Sequence, residues 1–462
     1  MKRGRTITAL TMSAMLTITS FAGTGCPVFA EDITTVEEIP LSADTIGDEI
    51  VIDETNFPDE VFRTYITTNI DKDSSGSLDS DETEAITQLF LYERGLTDLT
   101  GIEYFTNLEQ LTCSFNSLTE LDLRQNTKLK NLNCYQNSLT ELDLSQNTEL
   151  EVLDCTSNQL ESLNVDTNTK LTLLRCSNNP ITSLDVSHNT LLTKLECNNN
   201  QLTSLDTSAN TVLQYLSCHN NSLESFTIHN TNLTYLDLTL NRTAESLDAS
   251  GCTALVTLKC NDSDALSSLN VSGDAALVEL YCQNCSLTSL DISDCEELQT
   301  LHCYYNDLEA ITLGTINKLT DIHARNNKLT EFDASHLTDL TRLILTENSL
   351  TSLNTAQNTS LTSLSCNSNK LASLIINDQL ETLYCQSNAL TDLDVSNAEN
   401  LITLNCANNQ LHYLNLSNAS LGTNNGKITV SPQTCFSAVT GVHEFDFDTI
   451  TGLRTDKISN LT

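Results

Sequence analysis

Leu129-Lys-Asn-Leu132-Asn-Cys134-Tyr-Gln-Asn137-Ser-Leu139-Thr-Glu-Leu142-Asp-Leu144-Ser-Gln-Asn147 decides the fold, because the chain copies this string every 21 residues. Its leading leucine recurs at 108, 129, 150, 171, 192, 213, 233, 255, 277, 298, 319, 340, 361, 380 and 401. The spacing slips by one or two residues only near 233–277 and 361–380. A degenerate turn precedes the rest at Leu89, Leu91, Leu96 and Leu99. Leu132 and Cys134 alternate with polar neighbours, which predicts a short strand with two side chains inward and their neighbours outward. One turn cannot bury its own leucines, but turns stacked in register bury each against its copy above and below. Parallel strands lie about 4.8 Å apart, so fifteen turns predict a rod or arc roughly 70 Å long.

The ninth position of the turn is Asn in all but two copies, where Ser263 and Cys285 stand instead. An amide there can satisfy the backbone groups left unpaired where the chain leaves the strand. The sixth position holds Cys113, Cys134, Cys155, Cys176, Cys197, Cys218, Cys260, Cys282, Cys303, Cys366, Cys385 and Cys406. Leu238, Ala324 and Leu345 fill the same slot elsewhere, so the slot wants a small or medium apolar group. These cysteines therefore read as buried free thiols. In an exported protein, a row of free thiols suggests a reducing or anaerobic habitat. Cys252, Cys285, Cys295 and Cys435 fall outside the column, and a pairing of Cys285 with Cys295 stays open.

The two halves of each turn echo one another: Leu139-Thr-Glu-Leu142-Asp-Leu144-Ser-Gln-Asn147 repeats the first nine residues in outline. In this the chain resembles the nested 21-residue class of bacterial leucine-rich repeats, the IRREKO type, over residues 86–417. That resemblance implies strands on both faces of a flattened solenoid, with few helices. The expected fold is mainly β, a leucine-rich-repeat solenoid with a small α-helical EF-hand cap at its N-terminus.

The cap reading rests on Asp71-Lys-Asp73-Ser-Ser75-Gly76-Ser77-Leu78-Asp79-Ser-Asp-Glu82. The string matches a 12-residue calcium loop at each informative position. Asp71, Asp73 and Ser75 supply side-chain oxygens, Ser77 a backbone carbonyl, and Asp79 a ligand acting through water. Glu82 can bind bidentately, and Gly76 makes the sharp turn. Val61, Phe62, Tyr65 and Ile66 have helical spacing before the loop, and residues 84–89 can form a helix after it. The segment is similar to the EF-hand-like cap of internalin-type repeat proteins, which need not bind metal. Dockerins, which carry two loops, match less well. With the ligand set complete, Ca²⁺ is the expected cofactor, rigidifying a polar cap over an otherwise apolar solenoid end.

Residues 1–30 read as a signal peptide: Lys2, Arg3 and Arg5, an apolar stretch through Phe21, then Val28-Phe29-Ala30. Cys26 after Gly25 leaves lipid attachment open, although Gly23 stands where a lipobox has Leu. Residues 31–54 read as an acidic linker, 55–88 as the cap, 89–417 as the solenoid, and 418–462 as C-terminal cap strands at residues 427–430 and 444–448, with truncation left open. Removing the leader takes the net charge from −39 to −42, which repels nucleic acid and anionic lipid. A secreted or cell-surface monomer with no transmembrane segment after cleavage is expected.

Outward positions beside the inward Leu and Cys hold mostly Ser, Thr, Asn, Gln and Asp. Tyr281, His302 and His323 break this on consecutive turns, with Tyr304 and Arg325 in the next column. They form the expected partner-binding surface, since Tyr and Arg are favoured binding anchors. Tyr215, His219 and Tyr235 form a smaller second group. Stacking between turns alone would also account for such aromatics. His302 and Cys303 are adjacent and so point to opposite faces, giving no catalytic dyad. HExxH, GxSxG and phosphate-loop patterns are absent, and no enzyme is expected. The expected function is binding a protein ligand; a carbohydrate-binding or structural envelope protein is the alternative.

Overall fold

The computed structural model describes residues 49–228, 230–416, 419, 427–430 and 438–440. The leader, Cys26, the linker up to residue 48, Cys435 and the expected strand at residues 444–448 lie outside the described residues.

Seventeen three-residue parallel strands form one continuous sheet, from Gln88–Phe90 to Lys427–Thr429. The register is set by the leucines: Leu111 faces Leu132, and Leu132 faces Leu153. In most of these strands the middle residue is buried and its neighbours are partly exposed, as at Asn131–Asn133 and Val152–Asp154. No pairing among the described residues joins the last strand to the first, so the sheet is an open ladder. Lys427–Thr429, expected as a cap strand, is its final rung, paired with Thr403–Asn405.

The second side is strand-like only from Phe226 onward. Phe226–Thr227, Ser246–Asp248 and Ser268–Asn270 form one patch, and Ser289–Asp291 with Ala310–Thr312 another. Ser352–Asn354 with Ser373–Ile375, and Asp392–Asp394 with Tyr413–Asn415 and Ala438–Thr440, complete the set. Between Leu91 and Ser225 that side has no strand among the described residues and runs as turns, with one short 3-10 helix at Ile102–Tyr104.

At the corner after each strand, one residue takes a left-handed conformation, with φ 53° at Gln136 and 55° at Asn178. The next residue is the ninth-position Asn, which does the work expected of it. Asn137 Nδ2 donates to the carbonyls of Cys113 and Cys134, both at 3.0 Å, and its Oδ1 accepts from Leu118 N at 3.0 Å. Each such amide therefore stitches two turns together.

A second asparagine column went unread in the sequence. Asn126, Asn147, Asn168, Asn189 and Asn210 are fully buried on the far side. Asn147 Nδ2 donates to the carbonyls of Leu123 and Asn126, while its Oδ1 has no partner. Here the slot asks only for a donor. The cysteines outside the main column occupy asparagine slots: Cys285 in the first column, Cys252 and Cys295 in the second. Their sulfurs lie 3.4, 3.3 and 3.8 Å from the carbonyls of Cys260, Ile228 and Val271. All fifteen described cysteines are free and buried, so Cys285 and Cys295 are not paired.

Two helices close the N-terminal end. α1 (Glu60–Asn69) starts at Asp59, whose Oδ1 accepts from Val61 N and Phe62 N. α2 is Ser80–Glu84, not residues 84–89 as expected. Asp79 and Glu82 form a reciprocal capping box that starts the helix early. Gln88–Phe90 is freed to be the first rung of the ladder. Phe57, Phe62, Ile66, Ile70 and Leu78 continue the solenoid core without a break. Asp59 Oδ2 also accepts from Thr97 N and Oγ1, which ties the cap to the first turn. Gly101 must be glycine: its φ is 102°, and a Cβ there would lie 2.3 Å from Phe57 Cδ1.

Two outcomes follow. Burial pushes the Cys113, Cys303, Cys366 and Cys406 thiols up to about 12, and raises those of Cys134, Cys155, Cys176, Cys260, Cys282 and Cys385 as well. A thiol-disulfide reagent at pH 8 should therefore leave the ladder untouched in the native protein and modify it after denaturation. Asn158→Ala deletes contacts to Cys134 O, Cys155 O and Leu139 N at a buried corner. It should destabilise the protein by about 2–4 kcal/mol in urea unfolding.

Candidate functional site

The cap loop gathers three of the six expected ligands. One oxygen each from Asp71, Asp73 and Glu82 lies within 4.8 Å of the others. Asp71 and Glu82 are buried, yet none of the three joins an ion pair among the described residues. The backbone holds them in place. Ser75 N and Gly76 N donate to Asp71, and Lys72 N donates to Glu82 Oε1 at 2.6 Å. The Ser75 hydroxyl and N–H hold the Asp73 carboxyl below its usual range. Gly76 has φ 81°, as the sharp turn requires. Ser75 Oγ donates to the Ser77 carbonyl at 2.9 Å. Asp79 is the exception: its Oδ1 caps α2 by accepting from Glu82 N. It does not join the three-carboxylate cluster.

Ile50–Val51, inside the stretch expected to be linker, is a strand. It pairs antiparallel with Ser77–Leu78 of the loop, Ile50 opposite Leu78, and Ile52 N donates to Gly76 O. This two-residue strand ties the acidic loop to the segment that precedes α1.

On the main sheet the two aromatic groups merge into one strip. Lys194 Nζ lies 4.1 Å from the Tyr215 ring centre. Tyr215 and Tyr235 stack at 4.5 Å with their planes 2° apart. Lys259 Nζ sits 5.4 Å from Tyr235 and 5.7 Å from Tyr281. Tyr281 meets His302 edge-on at 5.2 Å, and His302 meets His323 at 5.7 Å. His323 lies 4.2 Å from Tyr304, and Tyr304 lies 5.6 Å from Tyr305. Arg325 covers Tyr305 at 5.5 Å. The strip crosses seven neighbouring strands, from Lys194–Glu196 to Asp321–His323. At the usual parallel spacing it is about 29 Å long.

All five residues of the expected surface therefore lie together. Three more were missed: Lys194, Lys259 and Tyr305. Lys259 bridges the two groups because it moves the strip from the first outward column, which holds Tyr235, to the third, which holds Tyr281. His219 makes no ring contact with either tyrosine among the described residues. A separate aromatic group at the N-terminal end was also missed. There Tyr92, Phe115 and Tyr135 meet edge-on at 5.2 and 4.9 Å.

Charges on the face are mostly cancelled. Arg325 binds Glu347 through Nε and Nη2, both 3.1 Å, and Arg342 pairs with Asp321 at 3.2 Å. Lys194 pairs with Glu196 at 2.6 Å, and Arg175 bridges Asp154 and Glu196. Lys259 joins no ion pair among the described residues. Burial, helped by His302 and Arg342, pushes His323 down to about 4. Burial would raise Asp321, but His302 and Arg342 hold it below its usual value. Cys303 is buried beneath His302, so the two face opposite ways.

Stacked parallel turns with an inward leucine column and an asparagine corner define a leucine-rich-repeat solenoid. No family model matches the chain. The chain is 30% identical to the functional domain of InlJ from Listeria monocytogenes, a structure described as including a cysteine ladder. That match covers 84% of this chain and 83% of that one, with a TM-score of 0.62. The chain belongs to the internalin-like leucine-rich-repeat proteins. It is also 31% identical over 136 residues to Internalin J of Listeria monocytogenes serotype 4b, strain F2365; the match spans 28% of this chain and only 15% of that protein's length. The fold is shared with an internalin, InlF, of the same strain, at 22% identity and a TM-score of 0.50, over 68% of this chain and 96% of that one. No helix among the described residues is long and apolar enough to cross a membrane.

His323 gives a direct check. Its depressed value means the folded protein resists protonating it while the unfolded chain accepts the proton. This contribution to stability is present above about 6.5 and is lost as pH falls towards about 4. An NMR titration should find one imidazole with a midpoint near 4, and that signal should vanish in His323→Gln.

Proposed function

We propose that this protein is a secreted or cell-surface binding module, acting as a monomer, that holds a protein partner on the aromatic strip and carries calcium in its N-terminal cap. The export part of the reading rests on the basic, apolar and small-residue succession in residues 1–30. The partner part rests on one observation, the unbroken chain of ring and cation contacts from Lys194 to Arg325.

Ring geometry favours a protein over a glycan. A sugar stacks on an open aromatic face. Here Tyr215 and Tyr235 cover each other, Lys194 lies against Tyr215, and Lys259 lies against Tyr235 and Tyr281. What the strip offers outward is ring edges, hydroxyls and ammonium groups, which suit the mixed polar and apolar surface of a polypeptide. A Tyr215→Ser, Tyr235→Ser, Tyr281→Ser variant should lose at least about tenfold in binding to target cells, the scale of one lost hot spot. Protease treatment of the cells should abolish wild-type binding. Binding that survives protease but not glycosidases would establish the glycan alternative instead.

Calcium fits the cap by chemistry. Asp71, Asp73 and Glu82 present hard oxygens together with no neighbouring cation to balance them. Asp71, Asp73, Ser75, Glu82 and the Ser77 carbonyl would hold the ion, with Asp79 acting through water. Bound calcium would supply positive charge that offsets the mutual repulsion of the carboxylates. With affinity of the extracellular kind, about 10⁻⁴ M, 10 mM Ca²⁺ should stabilise the fold by about 2.7 kcal/mol. Asp73→Asn, at an exposed ligand that leaves the helices intact, should remove most of that gain in calorimetry. A melting temperature indifferent to Ca²⁺ in the wild type would sink the calcium assignment.

A further inference from the structure

The second asparagine column contains one residue that does not belong by charge. Counting along it gives Asn210, Asn230, Cys252, Asp274, Cys295, Ile316 and Leu337. Asp274 is fully buried, and neither carboxyl oxygen has a hydrogen-bond partner. Its neighbours show what the slot requires. Asn210 Nδ2 donates to the carbonyls of Val186 and Asn189 at 2.9 Å, and its Oδ1 is left without a partner. Cys252 and Cys295 direct their thiols at the carbonyls of Ile228 and Val271. Each polar occupant is a donor facing the backbone carbonyls of the turn before. By the same register, Asp274 faces the carbonyls of Ala249 and Cys252. An ionised carboxylate has only lone pairs to offer them, whereas a carboxylic acid has an O–H.

We propose that Asp274 is held as a neutral carboxylic acid whose proton fastens the turn of residues 255–276 to the turn before it, making this turn a pH-sensitive joint in the solenoid. The groups packed around it supply no counter-charge. Cys252 lies in the turn before and Cys295 in the turn after, both with thiols pushed up to about 12 chiefly by burial. Asp248 adds negative charge, and Asp294 is engaged in accepting from Gly273 N at 3.1 Å. No Lys, Arg or His pairs with Asp274 among the described residues. Burial pushes its carboxyl up to about 7. The N–H groups of Cys252 and Gly251 offset part of this without reaching hydrogen-bond geometry.

The sign follows from the raised value. The unfolded or locally opened turn ionises near 3.8 and the closed turn near 7. Stability from this site is full below about 4 and is lost as pH rises to about 7, beyond which it stays lost. The same turn carries Lys259, the bridge between the halves of the strip. A partner held across both halves would then meet a firmer surface in acid than in alkali; that consequence, unlike the joint itself, rests on the function proposed above.

Hydrogen exchange of full-length wild type and Asp274→Asn over residues 249–276 tests the joint, because intrinsic exchange chemistry cancels in their ratio. Between pH 5.5 and pH 8.5 the wild-type to variant ratio of opening should rise about 30-fold, the amount set by midpoints near 3.8 and 7. Asn147→Asp, which plants the same acid in an ordinary slot, should create a matching pH dependence in its own turn. Infrared spectra at pH 5.5 should show a protonated carboxyl band missing from Asp274→Asn. A ratio that does not change with pH, or no such band, overturns the proposal. The readout lies in the turn itself, so failure to find a partner for the strip leaves it unaffected.

Discussion

A turn of 21 residues cannot satisfy itself, and everything in this molecule answers to that constraint. Its inward Leu and Cys find apolar cover only in the copies above and below. Its corner carbonyls share donors between its own asparagine and that of the next turn. Asn137 shows both sides of the debt, reaching Cys113 O in one turn and Cys134 O in its own. Because stabilisation is shared between neighbours, one defective slot weakens two turns. This explains why substitutions in the strand column and the first corner column keep to groups of similar capacity: Leu or Ala for Cys at the strand, and Cys or Ser for Asn at the corner.

Outward positions carry no such obligation, which is where the chain varies. The strip from Lys194 to Arg325 is built from side chains that the ladder does not need. Its own cohesion comes from rings and ammonium groups brought within contact distance by the strand spacing. The corner conformation is common to the turns. Most left-handed corner residues are Asn, Ser or Asp, which tolerate positive φ. Phe115 and Tyr305 adopt it at φ 56° and 54° although aromatic residues disfavour it. The corner takes this conformation whatever occupies it, as at Leu240 with φ 62°, so these two rings are carried on a backbone the repeat imposes.

How much of this could be read in advance depended on repetition. Fifteen copies of the leucine made the inward face, the register and the free thiols plain, and the grouping of Asp71, Asp73 and Glu82 was legible because acidic residues are dense in that short stretch. Ile50–Val51 was not, because a two-residue strand has no period and its partner is a loop. α2 was placed late because Asp79 and Glu82 had already been given to the metal, although the same pair forms its capping box. The second asparagine column was printed in each turn but attracted no reading, and so Cys252, Cys285 and Cys295 looked like strays. Lys259 escaped because it moves the strip between columns, which only ring-to-ring distances reveal.

The cap is no separate lid, and this bears on what a cation there could do. Asp59 uses one oxygen to start α1 and the other to hold Thr97 of the first turn. The Tyr104 hydroxyl donates to Asn56 Oδ1 at 2.9 Å, and Phe57 fills the space that Gly101 leaves open. Arg94 lies 4.8 Å from the Tyr65 ring centre. α1 leads straight into Asp71, while α2 begins at the Asp79–Glu82 box, so the loop carboxylates sit at the ends of the two helices that cover the first leucines. Asp71, Asp73 and Glu82 bring like charges within 4.8 Å of one another between those helix ends, and a cation there would offset their repulsion. Leu78, inside that loop, packs in the same core as Leu89 and Leu91, so the loop is continuous with the first rung on which every later rung is stacked.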